Sequence, residues 1–284
     1  MMKRSGGYLK PRDPDTAPAE SLELEQQGFT LVKKALDTGE IAQLADEVAD
    51  IFRQYARDDR AGKNRTVEDD EMFRYEMLNR SALCQKLVSN RHILDVIEPL
   101  LGQDCHVIAN TAWRNTARHP GSHGGQHWHI DAGPHIPLAE GTSWPKEIPH
   151  PVFAIGIHVY LKDCNPDDGP TGIIPGSHFS GRFPPREQAM DENLEYEGQG
   201  VVPIIAKAGD IAFFVSDVWH RRMPTGPDDD GRFFVQVHYG RRDIAQRILS
   251  SRQNNQLSDA ALARAESTRE KTVIGFHEPF FYDG

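Results

Sequence analysis

What most constrains this chain is a change of hydrophobic period near residue 104. Before it, apolar residues recur at the three-to-four spacing of an amphipathic helix; after it, they recur at every second position, the spacing of strands with one buried face. Residues 38–57 place Ile41, Leu44, Ala45, Val48, Ile51 and Phe52 on one helical face behind a Thr38 cap, with Glu40 in the first turn. A second helix is expected from Ser81 to Leu101, ended by Gly102. Between them GKNRTVEDDE is polar and reads as a mobile connector.

Expected strands cover 105–114, 126–131, 152–161, 200–206, 211–215 and 232–240, separated by Gly, Pro and Asp clusters. Some carry polar residues on a single parity, His158 and Tyr160 in one, Arg232, Gln236 and His238 in another. A small barrel with a partly polar interior produces that pattern, because alternate residues face inward. The fold expected is mainly β with flanking helices. Residues 1–20 read as a flexible tail and 21–284 as one domain whose final segment, 243–269, returns to helical composition before an aromatic tail.

The net charge of -10, with no dominant basic block, gives no long-range attraction for nucleic acid or anionic lipid. A small-molecule partner is expected. The longest apolar run, 152–161, is too short to span a bilayer, and the basic N-terminus lacks the apolar segment of a secretory signal. Cys84, Cys105 and Cys164 are odd in number and widely spaced, which suits a reducing, cytoplasmic location without a zinc-thiolate site. Monomer and homodimer are both open.

The chemistry-bearing stretch is QHWHIDAG, 126–133. In an extended segment His127 and His129 share a face, and so do His129 and Asp131. The first pair suggests a cupin-type site, but the glutamate expected beyond the second histidine is missing. The second pair needs one more histidine to complete a two-histidine, one-carboxylate triad, which holds a ferrous ion and leaves other positions open. His220 can supply it, and Arg232 follows twelve positions later at the start of a strand. A guanidinium there can bind a carboxylate through two parallel hydrogen bonds or form an ordinary surface ion pair. Between these elements DDGPTGIIPGSH, 167–178, turns tightly and offers the Thr171 hydroxyl, with His178 in a structural role.

Together, GFTLVKKALD from Gly28, the His129-x-Asp131 pair, the Gly-rich stretch ending in PGSH, and a distal histidine followed by an arginine resemble the phytanoyl-CoA dioxygenase family. The resemblance spans about residues 25–242 and implies a double-stranded β-helix core, a jelly-roll of the cupin kind, with Fe(II), 2-oxoglutarate and O2 as reactants. It implies that His129, Asp131 and His220 ligate iron and that Arg232 binds the distal carboxylate of 2-oxoglutarate, with Gln126 and Thr171 as further contacts. It further implies oxidation of a substrate C–H bond, most simply hydroxylation, with release of succinate and CO2. Asp131 argues against halogenation, since related halogenases lack the carboxylate.

Two departures stand out: the gap between His220 and Arg232 is long, which keeps Arg221 and Arg222 in play as anchors, and Gly172 replaces a larger residue. The alternative is a zinc hydrolase on the same ligands; a non-catalytic barrel is a third reading. Candidate substrate contacts are Tyr75, Met77, Trp113 and Trp144, the last in a Pro-rich loop, 137–151, placed to act as a lid. Their aromatic character suggests a moderately sized, partly apolar substrate such as a natural-product intermediate.

Overall fold

The computed structural model describes residues 17–55, 72–117, 124–145, 147–244 and 257–277. The expected mobile connector and most of the N-terminal tail lie outside these residues, as does the end of the aromatic tail. The first described helix, Ala19–Gln27, already begins inside the segment expected to be tail.

Among the described residues, nine strands follow one another as β1 (Phe29–Val32), β2 (Phe73–Tyr75), β3 (His106–Asn115), β4 (Ala154–Tyr160), β5 (Thr171–Ile173), β6 (Val202–Pro203), β7 (Ile211–Val215), β8 (His220–Arg222) and β9 (Arg232–Gly240). They form a six-stranded antiparallel sheet in the order β1-β7-β4-β9-β3-β2 and a three-stranded one in the order β6-β5-β8. This is the jelly-roll expected, with the helices of the first hundred residues contributing to the core that covers the large sheet.

Local chemistry explains most element ends. Helix Thr38–Gln54 is capped by Asp37, not Thr38: the Asp37 carboxylate accepts from the Gly39 and Glu40 amides, and Glu40 reaches back to the Asp37 amide. Its buried face is Ile41, Leu44, Val48, Ile51 and Phe52, as the spacing requires. The expected long helix from Ser81 is two helices, Ala82–Leu87 and Arg91–Leu101, because Asn90 caps a new start through the His92 amide.

Strands β7 and β9 coincide with the sequence reading, β3 and β4 do so within one or two residues, and β6 is only two residues of the span 200–206. Residues 126–131 are no strand; their single ladder contact is the His129–His220 bridge. Strands β1, β2, β5 and β8 were not anticipated. Each has three or four residues, too few for alternation to register.

Candidate active site

Between the two sheets lies a cavity of about 410 Å³. The small sheet contributes Thr171, His220 and Arg222, and the large sheet His158, Trp113 and the inward residues of β9, which are Arg232, Phe234, Gln236 and His238. The parity inferred for β9 is therefore the inward one.

His129 and Asp131 enter from the irregular segment that β8 holds in place. The His129 and His220 amides exchange hydrogen bonds with each other's carbonyls at 3.0 Å, and the Asp131 amide donates to the Ser216 carbonyl at 3.0 Å. One nitrogen or oxygen from each of His129, Asp131 and His220 lies within 4.8 Å of the other two, the only such cluster among the described residues. His127 is exposed and stays outside it, because the segment is not a strand and the two-residue alternation does not carry back to it. His135 is also elsewhere, paired with Asp217 at 2.7 Å.

The donor set suits a divalent metal. His129 Nδ1 donates to the His127 carbonyl at 2.8 Å and His220 Nδ1 to the Val218 carbonyl at 3.0 Å. A carbonyl can only accept, so each Nδ1 carries the hydrogen and each Nε2 keeps its lone pair. Burial, then the neighbouring His220, push His129 down to about 4, so its ring is neutral. Burial pushes Asp131 up, but His220, His238 and His129 outweigh it and hold the carboxyl well below the usual carboxylate range. Burial likewise lowers His220, yet the Asp131 carboxylate 3.5 Å away reverses the sign and its pKa is raised. Asp131 Oδ2 is buried without a hydrogen-bond partner, as expected of a carboxylate whose natural counter-charge is a cation.

Arg232 stands in the same cavity, itself buried. Asn115, opposite it across the β3–β9 pair, accepts from its Nε at 3.3 Å and its Nη2 at 3.1 Å. Burial lowers the basicity of Arg232, and that of Arg222, which its neighbour Arg232 lowers further, to about 9. A guanidinium nevertheless keeps its charge, so the two create a buried positive field suited to an anion. Arg221 also borders the cavity, but its donors are committed: Nε, Nη1 and Nη2 donate to the carbonyls of Arg222, Met190 and Gly124.

Gln126 and Thr171 both line the cavity, as do Tyr75 and Trp113. Two expected substrate residues do not. Met77 is fully buried in the hydrophobic core, and Trp144 donates its indole N–H to the Ile148 carbonyl while its ring meets His150 edge-on. The surrounding loop is pinned to another segment, with Leu138 and Trp144 amides on the Gly181 and Phe179 carbonyls, and contributes no described residue to the cavity. A lid role for it has no geometric basis. Gly172 is explained by space: a Cβ there would lie 2.5 Å from Met223 Sδ.

His178 is structural, as expected. Its Nε2 donates to the Glu25 carbonyl, and its ring lies against Gly28, whose φ of 82° and lack of a Cβ permit that approach. The PGSH and GF elements are thus two sides of one contact. Asn115, Phe73 and Glu76 carry no signal in the sequence; the last two border the cavity, and strand register places Asn115 and Phe73 while Glu76 follows directly on β2.

A family model described as Phytanoyl-CoA dioxygenase (PhyH) matches residues 24–224. Among solved structures, the chain is similar to the epimerase SnoN in complex with Fe3+, alpha-ketoglutarate and nogalamycin RO, at 18% identity and TM-score 0.61, over 83% of this chain and 87% of that one. It is similar to HygX from Streptomyces hygroscopicus with nickel and 2-oxoglutarate bound, at 16% identity and TM-score 0.59, over 80% and 88%. It is also similar to EctD from S. alaskensis with 2-oxoglutarate and 5-hydroxyectoine, at 18% identity and TM-score 0.63, over 84% and 83%. At these identities the structures establish a shared fold.

Proposed function

Because the chain belongs to the phytanoyl-CoA dioxygenase family, a family of Fe(II)- and 2-oxoglutarate-dependent oxygenases, we propose that it hydroxylates a C–H bond of a small molecule within a single oxygenase domain. His129, Asp131 and His220 are the metal ligands in this reading, and Arg232 anchors the distal carboxylate of 2-oxoglutarate, aided by Gln126 and Thr171. The observation that carries it is the pairing, in one cavity, of a three-ligand cluster with a buried, oriented guanidinium. Neighbouring folds crystallised with iron or nickel together with 2-oxoglutarate, and one with 2-oxoglutarate and 5-hydroxyectoine, support it.

When bound, iron and 2-oxoglutarate together supply the oxidising chemistry, in which O2, 2-oxoglutarate and a substrate C–H give a C–OH, succinate and CO2. The protein's own residues prepare for it. The two Nδ1–H bonds to backbone carbonyls fix both imidazole tautomers and ring planes, so both Nε2 lone pairs point inward before any ligand arrives. Asp131 stays anionic and supplies the third, charged donor. Asn115 fixes the rotation of Arg232, and the positive field of Arg232 and Arg222 favours a dicarboxylate over a neutral molecule at that end.

On the β2–β3 side Phe73, Tyr75 and Trp113 make an aromatic wall, while Trp113 Nε1 donates to Gln236 Oε1 at 2.6 Å. An indole N–H can only donate, so the Gln236 amide is oriented with its oxygen towards Trp113. A partly apolar substrate of moderate size fits such a surface. The zinc hydrolase alternative is not supported: the family and the neighbouring folds belong to iron and 2-oxoglutarate chemistry.

The test is succinate release from 2-oxoglutarate, assayed with and without Fe(II) while candidate substrates are screened. Asp131→Ala and His220→Ala abolish it; full succinate production by either variant removes the assignment.

A further inference from the structure

Strand β9 sends a fourth residue, His238, to the metal end of the cavity. Its Nδ1 lies 3.8 Å from Asp131 Oδ2, whereas Asp131 Oδ1 faces His220 Nε2 at 3.5 Å. The two carboxylate oxygens therefore look in different directions, Oδ1 towards His220 and Oδ2 towards His238. Among the described residues, Oδ2 has no hydrogen-bond partner despite being buried. An oxygen in that position, sharing the charge of a metal ligand, calls for a donor, and the nearby ring nitrogen can be one.

The fold makes specific room for this ring. His238 stands opposite Gly156 of β4 and Ala109 of β3, the smallest neighbours available on either side. A Cβ on Gly156 would lie 3.1 Å from His238 Cε1 and 2.6 Å from the Phe214 ring. The missing side chain is what lets His238 and Phe214 share the inner surface of the sheet beside the ligands.

We propose that His238 is a positioning residue for the metal centre, holding Asp131 through Oδ2 so that Oδ1 alone is presented to the cation. The inference rests on the reading of His129, Asp131 and His220 as ligands. At 3.8 Å the contact is longer than a hydrogen bond, and an approach of about 1 Å brings it to normal length. A carboxylate held by its outer oxygen cannot rotate to bind through both oxygens. Such outer contacts orient the inner ligand and commonly change metal affinity by about 10–100-fold.

Anaerobic titration with Co(II), followed through its d–d absorption, tests this without reference to turnover. Asp131→Ala loses the site. His238→Leu binds Co(II) roughly 10–100-fold more weakly, while His238→Asn, whose amide nitrogen lies the same two bonds beyond Cβ as the ring Nδ1 and can donate to the same oxygen, stays within about three-fold of the unaltered protein. If the leucine variant does not fold, His238→Phe replaces it, since its ring keeps the planar shape without a donor and the same loss is expected.

Unchanged affinity in His238→Leu overturns the proposal. Equal weakening in the leucine and asparagine variants also overturns it, by showing that only the ring's shape matters. Loss as complete as that of Asp131→Ala would make His238 a ligand rather than a positioning group. Normal Co(II) binding by Asp131→Ala would instead bring down the ligand reading itself, a result separable from a neutral His238 on an intact site.

Discussion

Asn115 Oδ1 accepts hydrogen bonds from both Nε and Nη2 of Arg232, at 3.3 and 3.1 Å, across the β3–β9 pair. Both residues are buried, so this one amide sets the direction of the guanidinium fork. A hydrogen bond to a charged group contributes about 1.5–3 kcal/mol, so Asn115→Leu is expected to raise KM for 2-oxoglutarate roughly ten-fold or more, with kcat changed far less. Asn115→Asp should do the same for another reason, by neutralising the anchor with a carboxylate. A co-substrate titration that leaves KM unchanged in both variants contradicts this role.

Arg221 and Arg232 should separate by phenotype. Arg221 gives its donors to three backbone carbonyls, so Arg221→Met is expected to lower stability by about 2–4 kcal/mol and leave KM for 2-oxoglutarate within a few-fold. Arg232→Lys keeps the charge but loses the fork, and should raise that KM at least about ten-fold with a smaller change in melting temperature. Denaturant unfolding and 2-oxoglutarate titration of both variants decide the matter; reversed phenotypes would exchange the two assignments.

Gly156→Ala is expected to destabilise the protein by about 1–3 kcal/mol, because its methyl must displace the Phe214 ring in a packed interior. Chemical denaturation reads this directly. A neutral result would show that the β4–β7–β9 surface relaxes easily.

Stability should fall on mild acidification. Burial pushes His150 down to about 4 and His178 well below the ordinary histidine value, so both resist protonation in the folded protein, while their unfolded counterparts are protonated below about 6.5. The unfolded state then binds more protons, and folding free energy declines as pH drops from about 6.5 towards the depressed folded values. Melting temperatures of the metal-free protein between pH 7.5 and 5 should decrease, and His178→Asn should flatten the dependence. A flat profile in the unaltered protein would count against neutral burial of these rings.

Much of the site was legible before any coordinates. His129, Asp131 and His220 converge as expected, and the inward parity of Arg232, Gln236 and His238 follows from β9 being a regular strand. Errors cluster where regularity stops. Thr38 and Asp37 are both residue types that cap helices, and only geometry selects Asp37. Met77 and Trp144 were judged by residue type, yet one is core and the other belongs to a loop pinned away from the cavity.

By itself, then, the sequence determined the elements whose period exceeds noise and the identities of the groups that do chemistry, because alternation and side-chain type are local properties. Tertiary structure alone decided their companions: Asn115 behind Arg232, His238 behind Asp131, and the glycine that admits it. Those relationships join residues about a hundred positions apart through strand register. Register is set by the packing of the whole sheet and leaves no mark on any single segment.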